Sequence, residues 1–304
     1  MKKTALLLVI LTFLALAPVF DYRVAFFYYM MFWVVMASSL NLIFGLTGYL
    51  PFGYVVFYGI GSYATAFAWS TFGVNIFMAI LFGGLSAAIM AMLFSPTLRL
   101  KGVYFAIVNS SCALTVKTII SSMPDEWLGG SAGYNLSKIY DPETAYYAML
   151  LLMIVTLYIA YHITRSRLGI ALKSIKQDRT AAEVLGIDTV RARLRIWIIA
   201  AFLPGLAGGL DAWYTSVVDP ETAFSMLITA KSVLYGMFGG FSTVTGPVLG
   251  AVSMYTLDDV IWGLFPMFDA FLIGLVMLLL ILYLPKGLVG ELLYKYPKFR
   301  QDLR

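Results

Sequence analysis

Apolar windows near the length that crosses a bilayer follow one another along almost the whole chain. They fall at 4–20, 24–46, 50–72, 75–98, 102–121, 145–163, 195–217, 225–240, 247–264 and 267–285. A run of about 20 apolar residues spans the hydrocarbon core, and only helices or closed barrels satisfy their backbone there. The pattern therefore predicts an all-α, polytopic membrane helix bundle of about ten transmembrane segments. The eighth and ninth windows are short and punctuated by glycine, which predicts broken or re-entrant helices. Charged residues make up only 12% of the 304 residues, against about a quarter in soluble domains.

The charges sit where the positive-inside rule wants them. With Lys2 and Lys3 inside, Arg99, Lys101, the Arg165–Arg195 loop and a tail carrying Lys286, Lys295, Lys298, Arg300 and Arg304 all fall on the cytoplasmic side. Asp125, Glu126, Asp141, Glu143, Asp219 and Glu221 fall outside. Both termini are then cytoplasmic. Arg23, Lys117 and Lys138 are the exceptions. The N-terminus imitates a signal peptide, but Pro18 follows the Ala15-Leu16-Ala17 site and impedes cleavage; residues 4–20 read as a retained first helix.

Several functions are excluded by what is missing. One cysteine and one histidine rule out a disulfide framework and a Cys/His metal site. Cys112 reads as a packing residue, and His162 as an interfacial helix-end residue. No Gly-rich loop ending in Lys-Ser/Thr is present, so this chain cannot cradle ATP phosphates. No catalytic constellation or nucleic-acid signature is present either. The basic residues are membrane flanks.

Glycines and prolines crowd particular spans: Gly45, Gly48, Pro51, Gly53, Gly59 and Gly61 at the second and third, and Gly205 and Gly209 beside Pro204 at the seventh. Gly236 to Ala251 joins the eighth and ninth spans with little helix propensity. Tight helix packing is one reading. Discontinuous helices lining a pathway is the other, since irregular backbone at depth needs protein or water around it. The clusters with proline and hydroxyls favour the pathway, with Asn41, Gly48, Pro51, Asn109, Asp211, Lys231, Gly239 and Gly240 as candidate lining residues. Lys231 is the deepest ionisable group, with Asp211 or an aspartate of the Asp258/Asp259 pair as its partner. Structural hydrogen bonds and ion pairs are the competing reading for these polar groups.

The cytoplasmic loop 164–194 predicts its own short helix. Asp178 is an N-cap. Ala181, Val184 and Leu185 share one apolar face, Gly186 ends the helix left-handed, and Asp188 or Thr189 caps the next one. Such a face suits a groove on a partner or the lipid headgroups.

Leu168–Ile187 (LGIALKSIKQDRTAAEVLGI) and Ser39–Tyr63 (SLNLIFGLTGYLPFGYVVFYGIGSY) resemble the permease subunits of branched-chain amino-acid ABC importers. So, in the same order, do Leu98–Val108, Leu128–Gly133, Gly205–Tyr214, Phe238–Ala251 and Leu284–Gly290. The likeness is to the longer of the family's two permease types. It implies a single transmembrane permease domain over 1–304, a second permease subunit, two cytoplasmic ATP-binding subunits that hold ATP and Mg, and a periplasmic solute-binding protein in a bacterial inner membrane. No cofactor is implied for this chain itself. It also implies that Asp178, Thr180, Ala181, Ala182, Glu183, Val184, Leu185, Gly186 and Ile187 form a coupling helix docked on the ATPase.

The chain departs from the family in two places. Ala-Ala-Glu-Val-Leu-Gly replaces the general Glu-Ala-Ala followed by Gly. Pro51-Phe52-Gly53-Tyr54 replaces the more usual Ser-Leu-Gly-His. Related permeases carry urea or short amides. The residues alone leave two rivals: an ion-gradient-driven secondary transporter using Lys231 and the aspartates, and a membrane scaffold that transports nothing.

Overall fold

The computed structural model describes residues 12–18, 23–100, 102–124, 129–241 and 243–264, and seven positions between 271 and 279. Most of the first and tenth windows lie outside them. The α-helices described with both bounds are α1 (Val24–Thr47), α2 (Val55–Phe72), α3 (Ile76–Leu93), α4 (Val103–Ser121), α5 (Pro142–Arg165), α6 (Arg167–Gln177), α7 (Arg179–Val184), α8 (Thr189–Thr215), α9 (Pro220–Ala223), α10 (Met226–Gly239) and α11 (Thr245–Leu264). Among the described residues, α1, α3, α4, α5 and α8 are long and apolar enough to cross a membrane. The chain is an all-α, multi-pass membrane protein. Its only described strands are β1 (Tyr134–Asn135) and β2 (Val217–Val218), an antiparallel pair that ties the segment between α4 and α5 to the end of α8.

Helices α1 and α8 form the centre. The apolar window of α1 is 89% buried and that of α8 78%, against 39% for α3 and 22% for α4. Helix α8 packs on α2 and α3, which pack on each other, while α1 packs on α5, α8, α10 and α11. In lipid the hydrophobic effect does not drive helices together, so close van der Waals contact must. The glycines supply it. A methyl placed on Gly61 of α2 would sit 2.1 Å from the Gly205 carbonyl oxygen of α8. One on Gly208 would sit 2.2 Å from the Tyr58 carbonyl oxygen, and one on Gly84 of α3 would strike Leu206 at 2.7 Å. The spacing of Gly205 and Gly209 is thus used for packing.

Pro204 lacks the N–H that would bond to the Ala200 carbonyl. Helix α8 nevertheless runs unbroken through it. The Tyr54 hydroxyl donates to that carbonyl at 3.1 Å and lies 2.6 Å from Ser39 Oγ of α1. The carbonyl that Pro204 leaves without its usual donor thus receives a bond from outside the helix. The low-propensity stretch 236–251 is also more helical than its composition suggests. Only 240–244 lies between α10 and α11. A methyl on Gly239 would sit 1.7 Å from the Gly246 carbonyl oxygen, and one on Gly250 1.9 Å from that of Tyr235. Tertiary contact outweighs the weak propensity here.

Candidate functional site

The loop 164–194 holds two helices, α6 and α7. Ser166 caps α6, accepting from Gly169 N at 3.3 Å. Leu172 and Ile175, one turn apart, are buried. Lys176 then points back at the membrane helices. Its ammonium donates to the Gly45 carbonyl, in the last turn of α1, at 2.9 Å. Burial pushes the Lys176 pKa down.

Helix α7 is fixed at both ends. Asp178 accepts from the backbone N–H groups of Thr180 at 2.7 Å and Ala181 at 3.1 Å. At the other end Gly186 is left-handed, with φ 80°. Its N–H bonds to the Glu183 carbonyl and that of Ile187 to Ala182, both at 3.0 Å, which is the Schellman pattern. Glu183 Oε1 accepts from Thr189 Oγ1 at 2.7 Å and from Arg179 Nε at 2.8 Å. The Thr189 hydroxyl first, and Arg179 second, hold the Glu183 carboxyl below its usual range. Asp188 caps α8, accepting from Arg191 N at 2.9 Å.

The nine coupling-helix candidates therefore divide. Ala182 is buried, while Val184 is 84% and Leu185 78% exposed. Thr180, Ala181 and Gly186 are exposed as well, and Ile187 is half-buried. Asp178 and Glu183 brace the helix. The outward surface is the Ala181–Val184–Leu185 face expected from the spacing.

The polar and glycine candidates at depth are spread over several contacts. Asn41 Nδ2 donates to the Thr243 carbonyl at 2.8 Å, which brings it to the turn carrying Gly239 and Gly240. Gly48 caps α1 with φ 78°, beside Lys176. Pro51 is buried in the linker 48–54. In the same linker a methyl on Gly53 would meet the Asn109 carbonyl oxygen at 2.0 Å. Asn109 Nδ2 donates to Phe105 O at 3.0 Å and Thr97 Oγ1 at 3.3 Å. Asp211 Oδ2 accepts from the Tyr58 hydroxyl at 2.5 Å, amid a tyrosine group in which Tyr28 stacks on Tyr214 at 3.7 Å. Lys231 pairs with Asp258 rather than Asp211, Nζ to Oδ2 2.8 Å, and the Tyr235 hydroxyl reaches the same oxygen at 2.9 Å. Two of the exceptions to the charge rule also have partners: Arg23 with Asp259, and Lys117 with Glu221 at 2.6 Å. No group of His, Cys, Asp and Glu among the described residues is arranged to hold a metal.

Sequence reasoning missed Lys176, Tyr49 and Arg193. The Arg193 guanidinium lies 4.7 Å from the centre of the Tyr49 ring, and Tyr49 meets Phe105 of α4 edge-on at 5.2 Å. The run Leu168, Leu172, Ile175 is the helical signal from which α6, and so the direction of Lys176, was readable. The stacking pair joins residues far apart in the chain and left no local signal.

Comparison with known proteins gives a consistent picture. The family model described as "Branched-chain amino acid transport system / permease component" matches residues 22–281. The high-affinity branched-chain amino acid transport system permease protein LivM of Salmonella typhimurium is 29% identical over 293 residues, covering 85% of this chain and 68% of that protein. LivM of Escherichia coli K12 gives the same figures. LivH of Salmonella typhimurium, the permease protein of the same named system, is 20% identical over 287 residues, covering 85% of this chain and 91% of that protein. No solved structure matches.

Proposed function

Because this chain belongs to the branched-chain amino acid transport permease family, of the longer, LivM-like type, we propose that it is the permease subunit of an ATP-driven importer. Its cargo is a branched-chain or similar apolar amino acid. Relatives named as permeases of such systems support the cargo class. ATP and Mg belong to separate cytoplasmic subunits, because the chain has no phosphate-cradling loop. A second permease chain of the LivH type completes the membrane part, and a periplasmic solute-binding protein delivers the cargo. Both termini lie inside.

The observation that carries this reading is the exposed pair Val184 and Leu185 on a helix capped at both ends. Burying each such side chain yields about 1.5–3 kcal/mol, and the fixed caps mean little order is lost on docking. An apolar groove on the ATP-binding subunit supplies that burial. The motion of α7 then reaches the membrane helices through Glu183 and Thr189 into α8, and through Lys176 into the last turn of α1. Transport by alternating access requires that ATP favour one arrangement of these helices over the other. The path follows α1 and the helices flanking it, where Asn41, Asp211 and Lys231 sit, with Gly48, Pro51, Asn109, Gly239 and Gly240 at the adjoining turns and contacts.

The test is to recover the chain from native membranes with whatever binds it and to measure leucine uptake in vesicles. Uptake that stops without ATP supports the reading. A second reading has one observation in its favour, the Lys231–Asp258 pair with Tyr235: an ion-gradient transporter would show uptake that follows protons or sodium in the chain alone. Urea or a short amide that competes with leucine would move the cargo class, leaving the importer intact.

A further inference from the structure

We propose that Arg193 is a positioning residue for energy coupling, carrying the movement of the cytoplasmic loop into the linker 48–54 through its stack on Tyr49. The proposal rests on the coupling-helix reading above. Arg193 lies in the first turns of α8 and is 2% exposed. Its Nε and Nη1 atoms find no hydrogen-bond acceptor among the described residues. Glu183, whose charge acts on it, spends Oε1 on Thr189 and Arg179. What Arg193 does have is Tyr49, whose ring centre lies 4.7 Å from its guanidinium carbon and whose hydroxyl also acts on it.

A buried cation without a carboxylate is a poor stability device. Its desolvation is only partly offset by one aromatic ring, and apolar side chains of similar volume commonly stabilise such positions. The surroundings suggest a mechanical role instead. Thr189 and Arg193 are one turn apart, on one side of α8. A displacement of α7, which holds Thr189 through Glu183, therefore bears on the side of α8 that carries Arg193. Tyr49 stands two residues past the end of α1, in the linker that also carries Pro51 and Gly53. Its ring is backed by Phe105, which in turn meets Trp197 of α8 at 5.9 Å. Lys176 grips the last turn of α1 four residues earlier. The loop thus holds the α1–α2 junction at the last turn of α1, through Lys176, and at Tyr49 of the linker, where the Arg193 guanidinium lies over the ring and Arg179 of α7 also acts. A planar guanidinium stacks on a ring in a way an ammonium does not, so the role needs arginine on one side and an aromatic ring on the other.

The experiment uses the transporter assembled with its partner chains, reading ATP hydrolysed per leucine taken up together with the melting temperature. Arg193→Met and Tyr49→Leu should raise ATP per leucine about tenfold, within the usual span of coupling factors. Tyr49→Phe, which keeps the ring, should restore the wild-type ratio, and Arg193→Lys should fall between. Arg193→Met should melt no earlier than wild type. An earlier melt for Arg193→Met makes the residue structural and overturns the proposal. So does an unchanged ratio in Arg193→Met and Tyr49→Leu, or an equal ratio in Tyr49→Phe and Tyr49→Leu. The last comparison decides the matter if Arg193→Met does not assemble. A wild-type transporter that takes up no leucine with ATP removes the coupling-helix reading itself, a result visible before any variant is made.

Discussion

Gly61 and Gly186 are the same residue doing opposite jobs, and they separate the two regions of this molecule. At Gly61, in the membrane, the missing side chain lets two backbones touch, and φ is ordinary. At Gly186, in the loop, nothing lies within 4 Å of where a methyl would go, but φ is +80°. The membrane region is held by shape, because polar groups are costly there and apolar ones have no preference for each other over lipid. The loop is held by caps and charge-assisted bonds around Asp178, Glu183 and Asp188, and leaves Val184 and Leu185 bare. One region turns its small residues on itself; the other leaves an apolar face open.

That contrast is broken most severely by bulk in the membrane. Gly61→Leu should drive α2 from α8 and abolish recovery of folded protein, read as the yield of monodisperse protein after extraction. The ion pair comes next. Asp258→Asn removes the carboxylate charge from the Lys231–Asp258 pair and should cost about 3 kcal/mol, measured by thermal unfolding. Lys231→Met added to it should recover part of that loss. Gly186→Ala has space but must hold a left-handed backbone, at about 1 kcal/mol, visible as faster hydrogen exchange confined to α7. A loss at Gly186 as large as at Gly61 would erase the distinction between the regions. Leu185→Asp should change stability by under about 0.5 kcal/mol while uncoupling ATP hydrolysis from leucine uptake. Normal coupling in that variant would remove the docking face.

The smallest effect is acid sensitivity of the loop. The folded pKa of Glu183 is depressed, so its contribution is present above the unfolded value, about 4.3, and is lost as pH falls through the lower folded value. Hydrogen exchange of α7 should be flat from pH 7 to about 5, after correction for the intrinsic rate, and rise below about 4. Glu183→Gln should flatten that rise.

Much of the membrane framework was legible because its signal is local. The windows 24–46, 75–98 and 102–121 fall within a few residues of α1, α3 and α4. The loop was legible for the same reason: Asp178, Gly186 and Asp188 announce their caps within three residues. What the sequence withheld was every decision made between helices. It offered Lys231 three aspartates, 20, 27 and 28 residues away, and had no means to choose. It read Gly236 to Ala251 as weakly helical, because the contacts that make it helical are carbonyl oxygens on a facing turn. It raised the glycines as packing or pathway, and at Gly61, Gly205 and Gly239 the close contacts are packing ones. Arg193 and Tyr49 were invisible for the same reason, being 144 positions apart in the chain.

The bond from Tyr54 to the Ala200 carbonyl has a further consequence. A continuous helix normally owns all its rungs, and its stiffness is a property of itself alone. Helix α8 is missing a rung at Pro204, and the replacement is anchored in a different part of the chain, just ahead of α2. The stiffness of α8 at that level is therefore conditional on where Tyr54 stands. Should the segment leading into α2 withdraw, the carbonyl is left bare among apolar groups, and the cheapest relief is for α8 to bend there. The longest of the described helices carries a latent joint, bridged by a hydroxyl on its neighbour.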